Sequence, residues 1–403
     1  MTSSQPYQTN KQARLFSLDA LRGFDMFWIV CGEGIFHGIA QAIKAKYGLL
    51  QDAVSWQITI TSDLSFLEKC FVTISNQLHH AVWNGFTFYD LIFPLFIFIA
   101  GISVPYSYGR QLEKAGGNTA LARKKMLQSL LRRTILLILL GIIVNGGLQL
   151  KGYEQTRFAS VLGRIALSGF LASLLFLYQS HRVQIIWLLS LLVGYWLILI
   201  TVPVPGFGAG VLTPEGNVAA YIDRLLLPGK LHRGVYDPEG LLSTLPAVGT
   251  ALLGILTGTY LKNTTQTAIK TVSKLLMAAC VLIAAGCVWA LVFPLNKNLW
   301  SSSFVLLTGG LSLLLFILFY WLADIKGYRI WCRPFVWMGV NAILIYMAAH
   351  GLVDFEYSSR FLFGGIFKLF PDTWNATLVW CGVALLQFSV LYYLNKKKIY
   401  LKV

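Results

Sequence analysis

The residues best suited to chemistry stand at the entrance to an apolar run. Leu78-His79-His80-Ala81-Val82-Trp83-Asn84-Gly85 leads into Phe86-Thr87-Phe88-Tyr89-Asp90-Leu91-Ile92. An imidazole titrates near neutrality, so His80 at such an entrance suits proton abstraction from a nucleophile. Asn84 offers an amide to a developing oxyanion, and Asp90 lies one to two turns inside the run. A single histidine here would read as an interfacial hydrogen bonder. Two of them, followed by Trp-Asn-Gly and an embedded carboxylate, favour a site.

A second concentration begins Ser17-Leu18-Asp19-Ala20-Leu21-Arg22-Gly23-Phe24-Asp25 and continues with Glu33 and His37. On a straight helix, at about 100° per residue, these five ionisable side chains share one arc of about 120°. Such groups cost several kcal/mol each at membrane depth unless paired or wet, so the stripe is expected to face a polar interior. An ion cluster of Asp19, Arg22 and Asp25 that fixes the helix end is the alternative for the trio. Arg123, Lys124, Lys125, Arg132 and Arg133 make the densest positive patch, suited to anionic lipid or to the phosphates of a cytosolic cofactor. Tyr236-Asp237-Pro238-Glu239-Gly240 sets two carboxylates at the mouth of an apolar run, where Glu239 also favours a helix N-terminus. The turn holding Asn296, Lys297 and Asn298 suits a polar ligand, and Arg164 lies near a helix end. Asn341 precedes Tyr346, His350 and Asp354, whose i, i+4, i+8 spacing puts them on one helix face as a site or a packing stripe. No Cys/His spacing suits a metal, and none is expected.

These residues must be positioned by membrane helices. Of 403 residues, 56% are hydrophobic and only 12% charged, about half the charged share of soluble domains. That excludes an ordinary soluble enzyme, a disordered chain and a disulfide-stapled module. A span needs about 20 largely apolar residues. Ten are predicted, at 23–43, 86–108, 134–150, 158–178, 183–202, 241–261, 275–293, 301–322, 335–353 and 374–394. The predicted fold is therefore all-α, a polytopic bundle of about ten to eleven transmembrane helices. The segment before His80 and the run 361–370 are too short or too polar to cross. Putting the N-terminus inside places 21 of the 33 Lys and Arg residues in inside segments, so both termini are expected to be cytoplasmic. The +16 net charge is read as membrane orientation, with no nucleic-acid partner. Residues 17–395 are expected to form one domain between cytoplasmic tails 1–16 and 396–403, with outside segments at about 44–79 and 203–240. Cys31, Cys280, Cys287 and Cys381 are expected to be buried small hydrophobes, and no cleavable signal peptide is expected.

Several motifs run in a shared order with one known family. Leu18-Asp19-Ala20-Leu21-Arg22-Gly23, Trp83-Asn84-Gly85 with Asp90-Leu91-Ile92-Phe93-Pro94, and Tyr236-Asp237-Pro238-Glu239-Gly240 resemble heparan-α-glucosaminide N-acetyltransferase and its bacterial relatives. So do Asn296-Lys297-Asn298-Leu299-Trp300-Ser301 and Met338-Gly339-Val340-Asn341-Ala342-Ile343-Leu344. The resemblance implies a bacterial inner-membrane acyltransferase that carries an acetyl group from cytosolic acetyl-CoA to an amino-sugar nitrogen outside. It places the family's essential histidine on His80 and puts Glu33 where the family has a catalysis-associated asparagine.

The expected mechanism follows from both lines of reading. His80, Glu33 and Asn84 form the catalytic group, with Glu33 orienting the imidazole or stabilising its charged form. Asp19, Arg22, Asp25, Arg132 and Arg133 meet acetyl-CoA. Asp90, Arg164, Asp237, Glu239, Asn296, Lys297, Asn298, Asn341 and His350 meet the acceptor. Direct transfer and an acetyl-histidine intermediate both remain open, and the partner set admits a homodimer. The rival is a proton-coupled secondary transporter of a small polar or anionic solute, which would also use buried carboxylates and histidines.

Overall fold

A computed structural model describes residues 15–114, 116–117, 119–149 and 152–401. All but the last two residues of the expected tail 1–16 lie outside them, as do 402–403. Among the described residues the chain is helical, with isolated bridges and no strand. In chain order the helices are α1 (Phe16–Phe27), α2 (Glu33–Tyr47), α3 (Phe66–Gln77), α4 (Phe88–Lys114) and α5 (Ala120–Val144). Then come α6 (Val161–Tyr178), α7 (His181–Thr201), α8 (Val218–Leu226), α9 (Thr244–Asn263) and α10 (Ala268–Ala290). The last five are α11 (Ser302–Phe319), α12 (Arg333–Val340), α13 (Ala342–Met347), α14 (Phe355–Phe367) and α15 (Asn375–Lys396). Among the described residues, nine helical stretches are long and apolar enough to cross a membrane. The bent pair Arg333–Val340 and Ala342–Leu352 makes a tenth when counted as one span. The chain is an all-α, polytopic integral membrane protein.

Two compact units emerge. One contains Phe93–Tyr328 together with residues 15–18. Its central helix is α9, which packs against α6, α7 and α11, while α10 lies along α11 and α5 along α6. Without a hydrophobic drive between helices in lipid, close backbone approach supplies the packing. A Cβ on Gly254 of α9 would overlap the carbonyl oxygen of Phe98 on α4. In this unit Asp324, at the end of a π turn after α11, receives the backbone N–H groups of Phe16 and Ser17 at 3.1 Å each.

The other unit contains Asp19–Ile92 and Arg329–Lys402. Here α2 packs on α3 and α15, and α14 and α12 also lie against α15. Gly23 and Gly339 mark a backbone crossing between α1 and α12. A Cβ at either would overlap a carbonyl oxygen, that of Phe335 or of Asp19. The π turn Trp28–Gly32 joins α1 to α2. Its altered bonding is steadied by Gln387 of α15, whose Nε2 donates to the Val30 carbonyl at 3.2 Å.

The expected insertion at 44–79 is ordered. Ser65 caps α3 in a reciprocal box with Glu68. The Ser65 hydrogen bonds, then Lys46, push the Glu68 carboxyl down to about 2. Asn76 clamps Ile58 through both backbone groups, at 2.8 and 2.9 Å. Leu49, Ile58, Leu64 and Val72 bury themselves against Ala40 and Ile43 of α2. This packing fixes the end of α3, from which His79 and His80 emerge.

Three expectations change. The third span begins at Ala120 rather than 134, so the basic patch at 123–133 is helical. The ninth is broken at Asn341 by 76°. Cys31 is buried, but Cys280, Cys287 and Cys381 are exposed on span surfaces, since a thiol suits lipid as well as a core.

Candidate active site

The imidazole of His80 is 46% exposed and meets a carboxylate that is wholly buried. Its Nδ1 lies 2.8 Å from Asp90 Oδ1. Asp90 Oδ2 accepts the backbone N–H groups of Ala81 at 3.2 Å and Thr87 at 3.1 Å. The Thr87 hydroxyl donates to the His79 carbonyl at 2.6 Å, tying the loop to the start of α4. A carboxylate taking this many donors acts as an acceptor, so Nδ1 carries the proton and Nε2 is the basic, nucleophilic atom. That is the base–orienter geometry of acyl-transfer sites.

Tyr89 extends the arrangement. Its ring lies 4.7 Å from that of His80, and its hydroxyl donates to Glu33. Glu33 thus reaches the imidazole through Tyr89, and the carboxylate that orients Nδ1 is Asp90. Asp90, expected at the acceptor, is thus the carboxylate on the imidazole, and Glu33, expected there, meets Tyr89 instead. His37 bonds Ser75 at 2.8 Å through Nδ1 and stacks on His79 at 4.1 Å. Burial, then the neighbouring His80, holds His79 below its ordinary range. Asn84 is exposed in the same loop, one residue before Gly85, whose φ of +124° lets the chain turn into α4.

The single-arc reading of the first span holds only as far as the π turn. Beyond Gly32 the helix is rotated by roughly one residue, about 100°, which sends Glu33 toward Tyr89 and His37 toward Ser75. The expected ion cluster at the helix end does not take in Asp25. Arg22 meets Asp19 at 3.6 Å, whereas both oxygens of Asp25, fully buried, have no hydrogen-bond partner among the described residues.

Asn341 and His350 have local tasks. The buried Asn341 side chain donates to the Ile399 carbonyl and accepts from the Leu401 N–H, both at 3.1 Å, so it holds the C-terminal tail. His350 is exposed, stacks on Tyr346 at 4.5 Å and bonds the Tyr346 carbonyl. The i, i+8 relation to Asp354 is lost, because α13 ends in a π turn and Asp354 caps α14 through Tyr357 N–H.

The remaining candidates lie in the unit containing Phe93–Tyr328. Asp237 and Glu239 converge on Arg157, which the sequence reading passed over. Arg157 Nε meets Asp237 Oδ2 at 2.8 Å, its Nη2 meets Oδ1 at 2.6 Å, and Nη2 also pairs with Glu239. Burial alone pushes the Asp237 carboxyl up. The Arg157 hydrogen bonds and charge, with the His232 and Glu239 N–H groups, bring it below its ordinary range. Arg164, 1% exposed, donates from Nη2 to the Gly240 carbonyl and Ser243 hydroxyl, and its guanidinium stands 5.0 Å from the Trp300 ring. Asn296 builds its own turn, accepting the Leu299 N–H at 2.8 Å. That turn ends in Trp300 at φ +52°, held by Thr250 at 3.1 Å and by Phe93. Lys297 and Asn298 are half-buried beside it, and Arg132 and Arg133 are exposed on α5.

Asp223 of α8, also unforeseen, accepts the Leu241 N–H at 2.9 Å and sits where a Cβ on Gly240 would be. Burial pushes its carboxyl up to about 6, against the Leu241 N–H and Arg164. Its native value exceeds the unfolded one, so its stabilisation is complete below the unfolded value of about 3.9 and fades as pH rises through about 6. Thermal unfolding from pH 4 to 7 should show this loss, at most about 1.4 kcal/mol per pH unit, and Asp223→Asn should flatten it.

The family described as "Heparan-alpha-glucosaminide N-acetyltransferase, catalytic" matches residues 53–297. The chain belongs to this family. Heparan-alpha-glucosaminide N-acetyltransferase of Mus musculus is 28% identical over 399 residues, covering 80% of this chain and 56% of the relative. The Homo sapiens protein of the same name is 30% identical over 323 residues, covering 66% and 48%. The chain thus spans about half the length of the curated relatives it matches. His80, Asn84, Asp90, Arg157 and Asp237 fall inside the acetyltransferase-family match, whereas Asp25, Glu33 and Asn341 fall outside it.

Proposed function

We propose that this family member moves an acetyl group from cytosolic acetyl-CoA to the amine of a glucosamine-type acceptor on the outer side of a bacterial inner membrane. One observation carries the reading: an exposed imidazole whose Nδ1 is held by a buried carboxylate, in a chain of an N-acetyltransferase family. In this reading 17–395 is one catalytic membrane domain with both termini cytoplasmic, and its partners are acetyl-CoA, the amino sugar and the bilayer.

His80 Nε2 removes the amine proton as nitrogen attacks the thioester carbonyl, or first accepts the acetyl group itself. Both routes use the same atom, made basic by Asp90 on the other side of the ring. Asp90 stabilises the imidazolium that forms, and the Ala81 and Thr87 N–H groups keep Asp90 in place. Tyr89 and Glu33 back the ring from one side, which fixes its plane. Asn84 supplies an amide donor to the developing oxyanion. The arginines of α5, Arg132 and Arg133, suit the CoA phosphates, and Asp19 with Arg22 is a second polar pair on the expected cytoplasmic side.

The test uses purified protein in liposomes with acetyl-CoA and glucosamine on opposite sides. N-acetylglucosamine is expected on the glucosamine side at a rate that follows the amount of protein. Solute uptake without any acetyl transfer would instead establish the transporter.

A further inference from the structure

The unit that holds His80 contains a second carboxyl group in the opposite environment. Asp90 takes the His80 ring and two backbone N–H groups, whereas Asp25 of α1 takes none. Asp25 is 0% exposed and both of its oxygens lack a hydrogen-bond partner among the described residues. A donor is close in sequence, since Trp28 Nε1 one turn on is also buried and unbonded, yet the two do not pair. The cation of the same helix, Arg22, is set on Asp19 at 3.6 Å. An isolated charge in such a place costs many kcal/mol, so a carboxyl kept there without a partner asks for a role.

Its neighbours join it to the site. Tyr89 of α4 has its ring on His80 and its hydroxyl on Glu33, and it lies within electrostatic reach of Asp25 and of Tyr346 on α13. Asp25 and His80 are thus two titratable groups flanking one tyrosine. Tyr89 is the group that Asp25 shares with Glu33 of α2 and Tyr346 of α13, while Asp19 and Arg22 stand on its own helix. Two groups held in contrasting environments at one site mark an acid and a base.

We propose that Asp25 is the proton donor to the departing sulfur, acting opposite His80. This rests on the acetyl-transfer reading. The new bond joins the amine nitrogen to the acetyl carbon, and the carbon–sulfur bond breaks with its electron pair leaving on sulfur. His80 Nε2 takes one proton from the amine nitrogen, and the Asp25 carboxyl gives one to the thiolate. Water then restores both groups, with the imidazolium losing a proton and the carboxylate regaining one. Poor thiol leaving groups need this donor, and acidic thiols leave without it.

The experiment compares two acetyl donors, acetyl-CoA and p-nitrothiophenyl acetate, in wild type and Asp25→Asn. The variant is expected to lose about 10²-fold in turnover with acetyl-CoA, the size of one general-acid contribution, and little with the activated thioester. Asp25→Glu should regain much of the acetyl-CoA rate. Equal losses with both donors, or no loss with acetyl-CoA, overturn the assignment to Asp25. Wild-type protein that transfers acetyl from neither donor removes the enzymatic reading instead. If Asp25→Asn does not fold, wild type treated with dicyclohexylcarbodiimide, which modifies neutral carboxyls in apolar surroundings, decides the matter. Peptide mapping is expected to find the adduct on Asp25, and its absence overturns the proposal.

Discussion

Replacing His80 with alanine is expected to cut acetyl transfer to glucosamine by about 10³-fold or more, while acetyl-CoA binding changes little. The size follows from what is removed: the basic Nε2 atom and the imidazolium that Asp90 stabilises. Asp90→Asn tests the same unit from the other side. An asparagine at 90 can donate to Nδ1, which leaves the proton on Nε2 and the ring in the wrong tautomer, so a loss of comparable order is expected although the imidazole remains. The double variant should be hardly worse than either single one, because residues acting as one unit are not additive. Turnover at saturating acetyl-CoA, with binding measured separately by thermal stabilisation, checks all three variants. Near-wild-type turnover in His80→Ala would remove the imidazole from the mechanism, and additive losses would separate Asp90 from it.

The membrane class and most of the spans were legible because lipid forces a simple code, about 20 apolar residues per crossing. His80, Asn84 and Asp90 stand out in the sequence because they break that code within a short stretch, although the contact of Asp90 with the imidazole does not show there. Three things were not. The π turn Trp28–Gly32 carries no composition signal, yet it rotates Glu33 and His37 off the arc that a straight helix would give them. Asn341 reads as a polar residue within a span, but a break of 76° and the tail at 399–401 account for it. Arg157 and Asp223 lie far in sequence from the carboxylate and glycine they meet, so their pairing appears only once the loop at 203–243 is folded. The hint available was a second arginine, Arg157, seven residues before Arg164 at the start of an apolar run, since a cation there needs a partner.

That overlooked arginine makes the other large prediction, and it concerns folding more than chemistry. Arg157→Ala should destabilise the protein by about 3–5 kcal/mol, because it leaves the buried Asp237 carboxylate, and Glu239 beside it, without a cation. Arg157→Lys should recover only part of this, since an ammonium lacks the fork that reaches Asp237 with two nitrogens. The pH dependence has a definite sign. The native Asp237 value is below the unfolded one, so its stabilisation is present above about pH 3.9 and disappears as pH falls toward the native value. In Arg157→Ala that acid-side loss should shrink, because less stabilisation remains to be lost. The same pairing bears on the acceptor. Carboxylates already engaged by a guanidinium are poor receptors for an incoming ammonium, which would have to displace Arg157 first. Asp237→Asn is therefore expected to lower the unfolding temperature of the protein while leaving the KM for glucosamine within about threefold, a change under 1 kcal/mol. A raised KM at unchanged unfolding temperature would return Asp237 to the acceptor site.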